Sequence, residues 1–305
     1  MRSTLRICYT LIAAVSLWLA MAPGGPAIAD NQPNRIRIEY DPPKNPAHQP
    51  LYEMIKEHRV LEKIQKIFSP FKFPIDVTIK ATGCDGHVNA WYARPTLTIC
   101  YEYLEEIRRD MPVETTAEGV TPIDGELGQF FFAVAHEMGH GAFDLFNTPI
   151  FGRQEDAADN FATYIMLQLG KSDARRLIGG AAYSYRKYLK QPTVTAPLKD
   201  FSDVHGSPQQ RFFNLICLAY GADPVLFADV VKFLPEHRAR GCRYEYGKWC
   251  WHFTSSSFPT SITRLQNRLW DKPGFPRKTR RRGRHQSASI DMCRGDRHSG
   301  SLMAL

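Results

Sequence analysis

His136 and His140 stand four residues apart, so on an α-helix both imidazoles share one face and can close on a single metal ion. Glu137 lies one step round the same turn, placed to reach a water at the metal rather than the metal itself. His136-Glu137-Met138-Gly139-His140 is thus an HExxH run, in which two histidines bind zinc and the glutamate acts as general base. The apolar run Phe130–Ala135 before it indicates a helix buried on its other sides. The plainer alternative is a helix whose two histidines are ordinary core or surface residues.

A catalytic zinc needs a third protein ligand and an open position for water. Glu155-Asp156-Ala157-Ala158-Asp159 offers carboxylates four apart at Glu155 and Asp159, on one helical face. One can bind the metal while the other accepts the second ring N–H of a ligand histidine and fixes its tautomer. Alone, such a pair usually marks a solvated face. Ala157, Ala158 and Ala162 would let two helices approach closely, which favours the buried reading.

HExxH followed by ExxxD resembles the gluzincins, the thermolysin-like branch of zinc peptidases. The resemblance implies Glu155 as the third zinc ligand and Asp159 as the support of His136. The interval from His140 to Glu155 is shorter than in thermolysin, which leaves Asp156 as a rival ligand. Over most of Arg35–Glu245 the chain is also similar to a bacterial family of secreted metallopeptidases. The segments that carry this similarity are Cys84 with Asn89-Ala90-Trp91-Tyr92, Cys100-Tyr101-Glu102, the HExxH run and Gly152–Asp159. His205 with Gln210-Arg211-Phe212-Phe213-Asn214, Cys217 and Tyr220-Gly221 also fit.

Asn89-Ala90-Trp91-Tyr92 resembles the edge-strand segment of thermolysin-like enzymes, where the Asn and the Ala main chain align a peptide by adding it to the sheet. Its alternative is an ordinary hairpin strand with a core Trp. His205 is the best candidate for a donor to the oxyanion formed when water attacks a carbonyl, with Asp203 able to hold its ring. Arg211 could serve that oxyanion or bind a substrate carboxylate, or form a structural ion pair on its helix. Tyr183 and Tyr185 are weaker candidates.

These residues need elements to position them. Arg35–Tyr40 alternates like a half-buried strand. Leu51–Phe68 has helical spacing, Phe73–Lys80 reads as a strand, and Val88–Tyr92 pairs with Thr96–Tyr101 through Arg94-Pro95. From Leu127 the pattern is helical: Gln129–Phe146, Gln154–Leu169 and Ala174–Lys190. A polar loop Pro192–Ser207 follows, then a helix from Pro208 to Tyr220, and another opened by Asp223-Pro224 and running to Leu234. This predicts an α+β zincin-like domain, a small N-terminal sheet with a mainly helical C-terminal portion.

Residues 1–29 read as a secretory signal: Arg2 and Arg6, the apolar stretch Ile7–Ala22, and the small-residue site Ala27-Ile28-Ala29. An uncleaved anchor is the alternative, but Pro23-Gly24-Gly25-Pro26 ends the apolar run early. The net charge of +8 sits in the leader and in Asp271–Leu305, because Asp30–Trp270 holds 28 basic and 28 acidic residues. No folded recognition element accompanies the basic tail, so a specific nucleic-acid partner is not expected. Outside the leader lie six cysteines, which allow 15 pairings; spacing favours Cys84 with Cys100 and Cys217 with Cys242.

The expected layout is a signal peptide over 1–29, the zinc domain over 30–246, and an atypical segment over 247–305, disordered from about 271. A frameshift would explain that segment, with Cys250 and Cys293 then without function. The expected activity is zinc-dependent hydrolysis of a peptide or protein, in a secreted or periplasmic setting with no lasting membrane span. The alternative is a non-catalytic zinc-binding protein that keeps the fold.

Overall fold

The computed structural model describes residues 35–190 and 202–255. The expected signal sequence, most of the polar loop Pro192–Ser207, the basic tail and Cys293 lie outside the described residues. The described chain is α+β, with a four-stranded sheet and a mostly helical remainder. The strands are β1 (Ile36–Tyr40), β2 (Val77–Thr82), β3 (Ala90–Ala93) and β4 (Thr96–Cys100), in the order β1-β2-β4-β3. β1 and β4 flank β2 in parallel, and β3 closes the edge antiparallel to β4.

The helices are α1 (Gln49–Glu57), α2 (Val60–Phe68), α3 (Tyr101–Asp110), α4 (Pro122–Leu145), α5 (Gln154–Gln168), α6 (Lys171–Arg186), α7 (Pro208–Ala222) and α8 (Glu236–Ser255). The single helix expected over Leu51–Phe68 is two. Leu51 and Ile55 are out of phase with Leu61, Ile64 and Phe68 on one straight helix, and Arg59, at φ 51°, turns the chain so that both faces reach the core. The strand expected from Phe73 begins only at Val77, because Phe73 instead stacks with Phe71 and Phe146 in the core.

β4 ends at Cys100, and Tyr101 starts a helix that buries Tyr101, Leu104 and Ile107. The helix expected from Gln129 begins at Pro122, where the Thr121 side chain accepts the Asp124 N–H. The helix expected over Asp223–Leu234 is a turn and a short 3-10 segment, Ala228–Phe233. Asp223 Oδ1 accepts the N–H groups of Val225 and Leu226 and so competes with helix formation. α8 runs without a break across Tyr246, where the composition changes.

α4 is the central helix, buried on nearly every side and packed on β3, β4, α5 and α6. Gly128 and Gly180 let α4 and α6 cross closely: a Cβ on Gly128 would stand 2.5 Å from the Leu177 carbonyl oxygen, and one on Gly180 would overlap the Asp124 carbonyl. Gly180→Ala is therefore expected to destabilise the fold by about 1–3 kcal/mol, measured by urea unfolding.

Disulfides join Cys84 to Cys100 and Cys217 to Cys242. The first ties the chain after β2 to the end of β4; the second ties α7 to α8. Replacing Cys84 and Cys100 together by Ala is expected to cost about 3 kcal/mol, from the loop entropy the bridge removes. No helix among the described residues is long and apolar enough to cross a membrane.

Candidate metal centre

α4 presents His136 and His140 toward the first turn of α5, where Glu155 sits. A helix N-terminus favours a carboxylate there. The two helices meet at Gly139, where a Cβ would stand 3.1 Å from the Phe161 ring and 3.4 Å from the Ala158 Cα. Small residues on both sides thus bring the three side chains together.

His136 Nε2, His140 Nε2 and Glu155 Oε2 form a nearly equilateral triangle, 3.1 Å between the histidines and 3.0 and 3.2 Å from the carboxylate to each. Three corners of a zinc tetrahedron with bonds of roughly 2.0–2.1 Å stand roughly 3.3 Å apart, so the donor set fits one such ion. His136 Nδ1 lies 2.7 Å from Asp159 Oδ1. Its N–H is thereby engaged by Asp159, which leaves the Nε2 lone pair for the triangle.

The electrostatics follow from this crowding. Burial works against a charge on His136, but its hydrogen bonds to Asp159 and Glu155 prevail and raise its pKa to about 9. That proton is the one a metal ion would replace. The hydrogen bond to His136 holds Glu155 down to about 2 despite burial. Burial pushes Glu137 up to about 7, only partly offset by His136 and by the N–H of Tyr92.

Asp159 is buried, and burial alone would raise its pKa; His136 and Arg211 outweigh that and lower it. Arg211 was expected on an oxyanion or a substrate carboxylate, with a structural ion pair as the alternative. The structure places it in the ion pair, with Nε 2.8 Å from Asp159 Oδ2 and Nη2 2.7 Å from Oδ1. Its guanidinium also lies over the rings of Tyr185 and Phe132, at 5.1 and 5.8 Å from their centroids. Tyr185 thus borders the site from the core, while Tyr183 lines a separate cleft with Arg186 and Phe233.

His205 Nε2 reaches Glu155 Oε2 at 2.9 Å, and its ring stacks on His136 at 5.8 Å. Asp203 Oδ1 accepts the His205 main-chain N–H at 2.8 Å and lies 3.3 Å from Nδ1. Asp156, the rival ligand, faces Gly206 and a cleft with Arg153 and Gln210 instead. Asn89 is exposed, and its side chain accepts the N–H of Ala90. Cys100 N donates to Asn89 O, so by antiparallel alternation the main-chain groups of Ala90 and Tyr92 face away from β4. Trp91 is 36% exposed on the other face and is not a core residue.

A second cluster of possible ligands, Cys84, Cys100 and Glu102, is already committed: the cysteines are bridged and Glu102 accepts the N–H groups of Cys84 and Gly86.

With this geometry in hand, residues 40–253 match the model of a family, DUF4344, described as "putative metallopeptidase". The chain belongs to this family. The matched span contains the whole donor triangle, Glu137, the Asn89–Ala90 edge, His205 and Arg211, and it reaches well into α8. No curated protein and no solved structure matches the chain. His136, His140, Glu155, Asp159 and His205, the candidates the sequence offers, are brought together by the fold. Tyr92 and Asp144 join the site without a signal in residue type: Tyr92 N–H donates to Glu137 Oε2 at 2.8 Å, and its phenol donates to Asp144 Oδ2 at 2.8 Å. Tyr92 stood inside a quoted motif, but a main-chain donor leaves no trace in residue type.

Proposed function

We propose that this protein is a zinc-dependent metallopeptidase of the gluzincin type, with a zincin-like domain over about residues 30–246 behind a secretory leader. The observation that carries the reading is the donor triangle of His136, His140 and Glu155 beside a carboxylate, Glu137, that takes no part in it. Two imidazoles and one carboxylate are a usual ligand set for catalytic zinc. A zinc ion held there would polarise a scissile carbonyl and acidify a water.

The remaining chemistry belongs to the chain. Glu137, with its pKa pushed up to about 7 by burial, is poised to take a proton near neutral pH and to return it to the leaving amine. Asp159 fixes the His136 tautomer, and Arg211 keeps Asp159 ionised and in place. His205, half exposed beside Glu155, is the donor for the developing oxyanion. A peptide would add to the β3 edge at the main chain of Ala90, with Asn89 beside it.

Two disulfides suit an oxidising compartment, which supports a secreted or periplasmic site of action. The test is hydrolysis of a peptide mixture by the purified protein, read by mass spectrometry. Activity lost to a chelator and restored by zinc supports the reading. Cleavage that survives removal of all metal would overturn it.

A further inference from the structure

Tyr92 meets one face of α4 at three successive levels. Its main-chain N–H donates to Glu137 Oε2 at 2.8 Å, and its ring covers Gly141, where a Cβ would stand 3.1 Å away. Its phenol donates to Asp144 Oδ2 at 2.8 Å. Positions 137, 141 and 144 form one helical stripe. Arg94, two residues further along the chain, closes the clamp with Nη1 3.1 Å from Asp144 Oδ1.

We propose that Tyr92 is a positioning residue that couples the general base to the substrate-binding edge; this rests on the hydrolytic reading above. Among the described residues, the Tyr92 N–H supplies the one hydrogen bond to the Glu137 carboxylate. A glutamate has three rotatable side-chain bonds, so this donor sets which oxygen faces the donor triangle. With Oε2 engaged, Oε1 is left facing the donor triangle, 4.0 Å from His136 Nε2. The same N–H faces away from β4, where an added peptide would otherwise find it. Its engagement by Glu137 directs a substrate to the main chain of Ala90. The phenol, held by Asp144, which Arg94 holds in turn, stops β3 from sliding along α4, so base and edge keep one spacing.

The coupling is testable without a known substrate, by amide hydrogen exchange on zinc-loaded protein. Glu137→Ala, Tyr92→Phe and Asp144→Ala are each expected to speed exchange of the residue-92 amide by roughly 10-fold or more, while the Trp91 and Ala93 amides, paired with β4, hold. Asp144→Asn still accepts the phenol proton and should stay near wild type. On any peptide the enzyme cleaves, Tyr92→Phe should lower kcat by roughly 10-fold or more, with KM changed less than about threefold. Unchanged exchange at residue 92 in both Tyr92→Phe and Asp144→Ala would overturn the proposal, as would equal acceleration along all of β3. Exchange as expected in a protein that cleaves nothing would leave the Tyr92–Glu137 contact standing but sink the hydrolytic reading, and with it the role of Tyr92 in positioning a base.

Discussion

Replacing Glu137 by Gln is expected to cut peptide hydrolysis by roughly 10²–10⁴-fold while leaving zinc content unchanged, because a positioned general base contributes on that scale. Gln keeps the shape and an acceptor for the Tyr92 N–H, so β3 should stay seated on α4. What it cannot do is take a proton. The donor triangle excludes Glu137, so metal affinity has no reason to fall. Parallel measurement of zinc by mass spectrometry and of cleavage rate separates the two roles. A variant that lost its zinc would mean that Glu137 belongs to the metal's ligands; one that kept its rate would mean it is not the base.

Arg211→Ala should have the largest effect on stability. Arg211 and Asp159 are a buried, doubly hydrogen-bonded pair, and Asp159 also carries His136. Removing the guanidinium leaves the Asp159 carboxylate buried with only the His136 imidazole as partner, at up to about 3–5 kcal/mol. The melting temperature should fall by roughly 6–20 °C for a domain of this size. With Asp159 no longer anchored, zinc affinity should drop by roughly 10–100-fold. Arg211→Lys should recover little, since an ammonium cannot span both carboxylate oxygens. A melting temperature and zinc affinity close to wild type would show that Asp159 does not depend on this guanidinium.

These residues differ in how far the sequence exposes them. His136, Glu137 and His140 are legible because one helix fixes their relation through a four-residue period, and Glu155 and Asp159 repeat the same period on the next helix. Joining the two pairs needs tertiary packing, for which Gly139 and Ala158 are the local sign. The role of Arg211 is hidden, because its partner is set by how α7 lies on α5, not by anything near Arg211 in the chain. Tyr92 is hidden for another reason: its hydrogen bond to Glu137 is made by the main chain.

At the level of the fold, the sheet and the long helices α4 to α7 follow from their apolar periods, whereas α8, rich in charged residues at its start, does not. The break at Arg59 and the Asx-type turn at Asp223 do not, since each is a local polar or backbone preference overriding the period. α3 was readable in the spacing of Tyr101, Leu104 and Ile107 but is masked by the strand pattern that runs into it.

X-ray absorption at the zinc edge of the purified protein tests the centre most directly. The expected spectrum shows one zinc per chain with about four nitrogen or oxygen ligands at roughly 2.0–2.1 Å, two of them imidazoles and none sulfur, lost in His140→Ala. Protein that binds no zinc, or zinc that persists unchanged in His140→Ala, would contradict it.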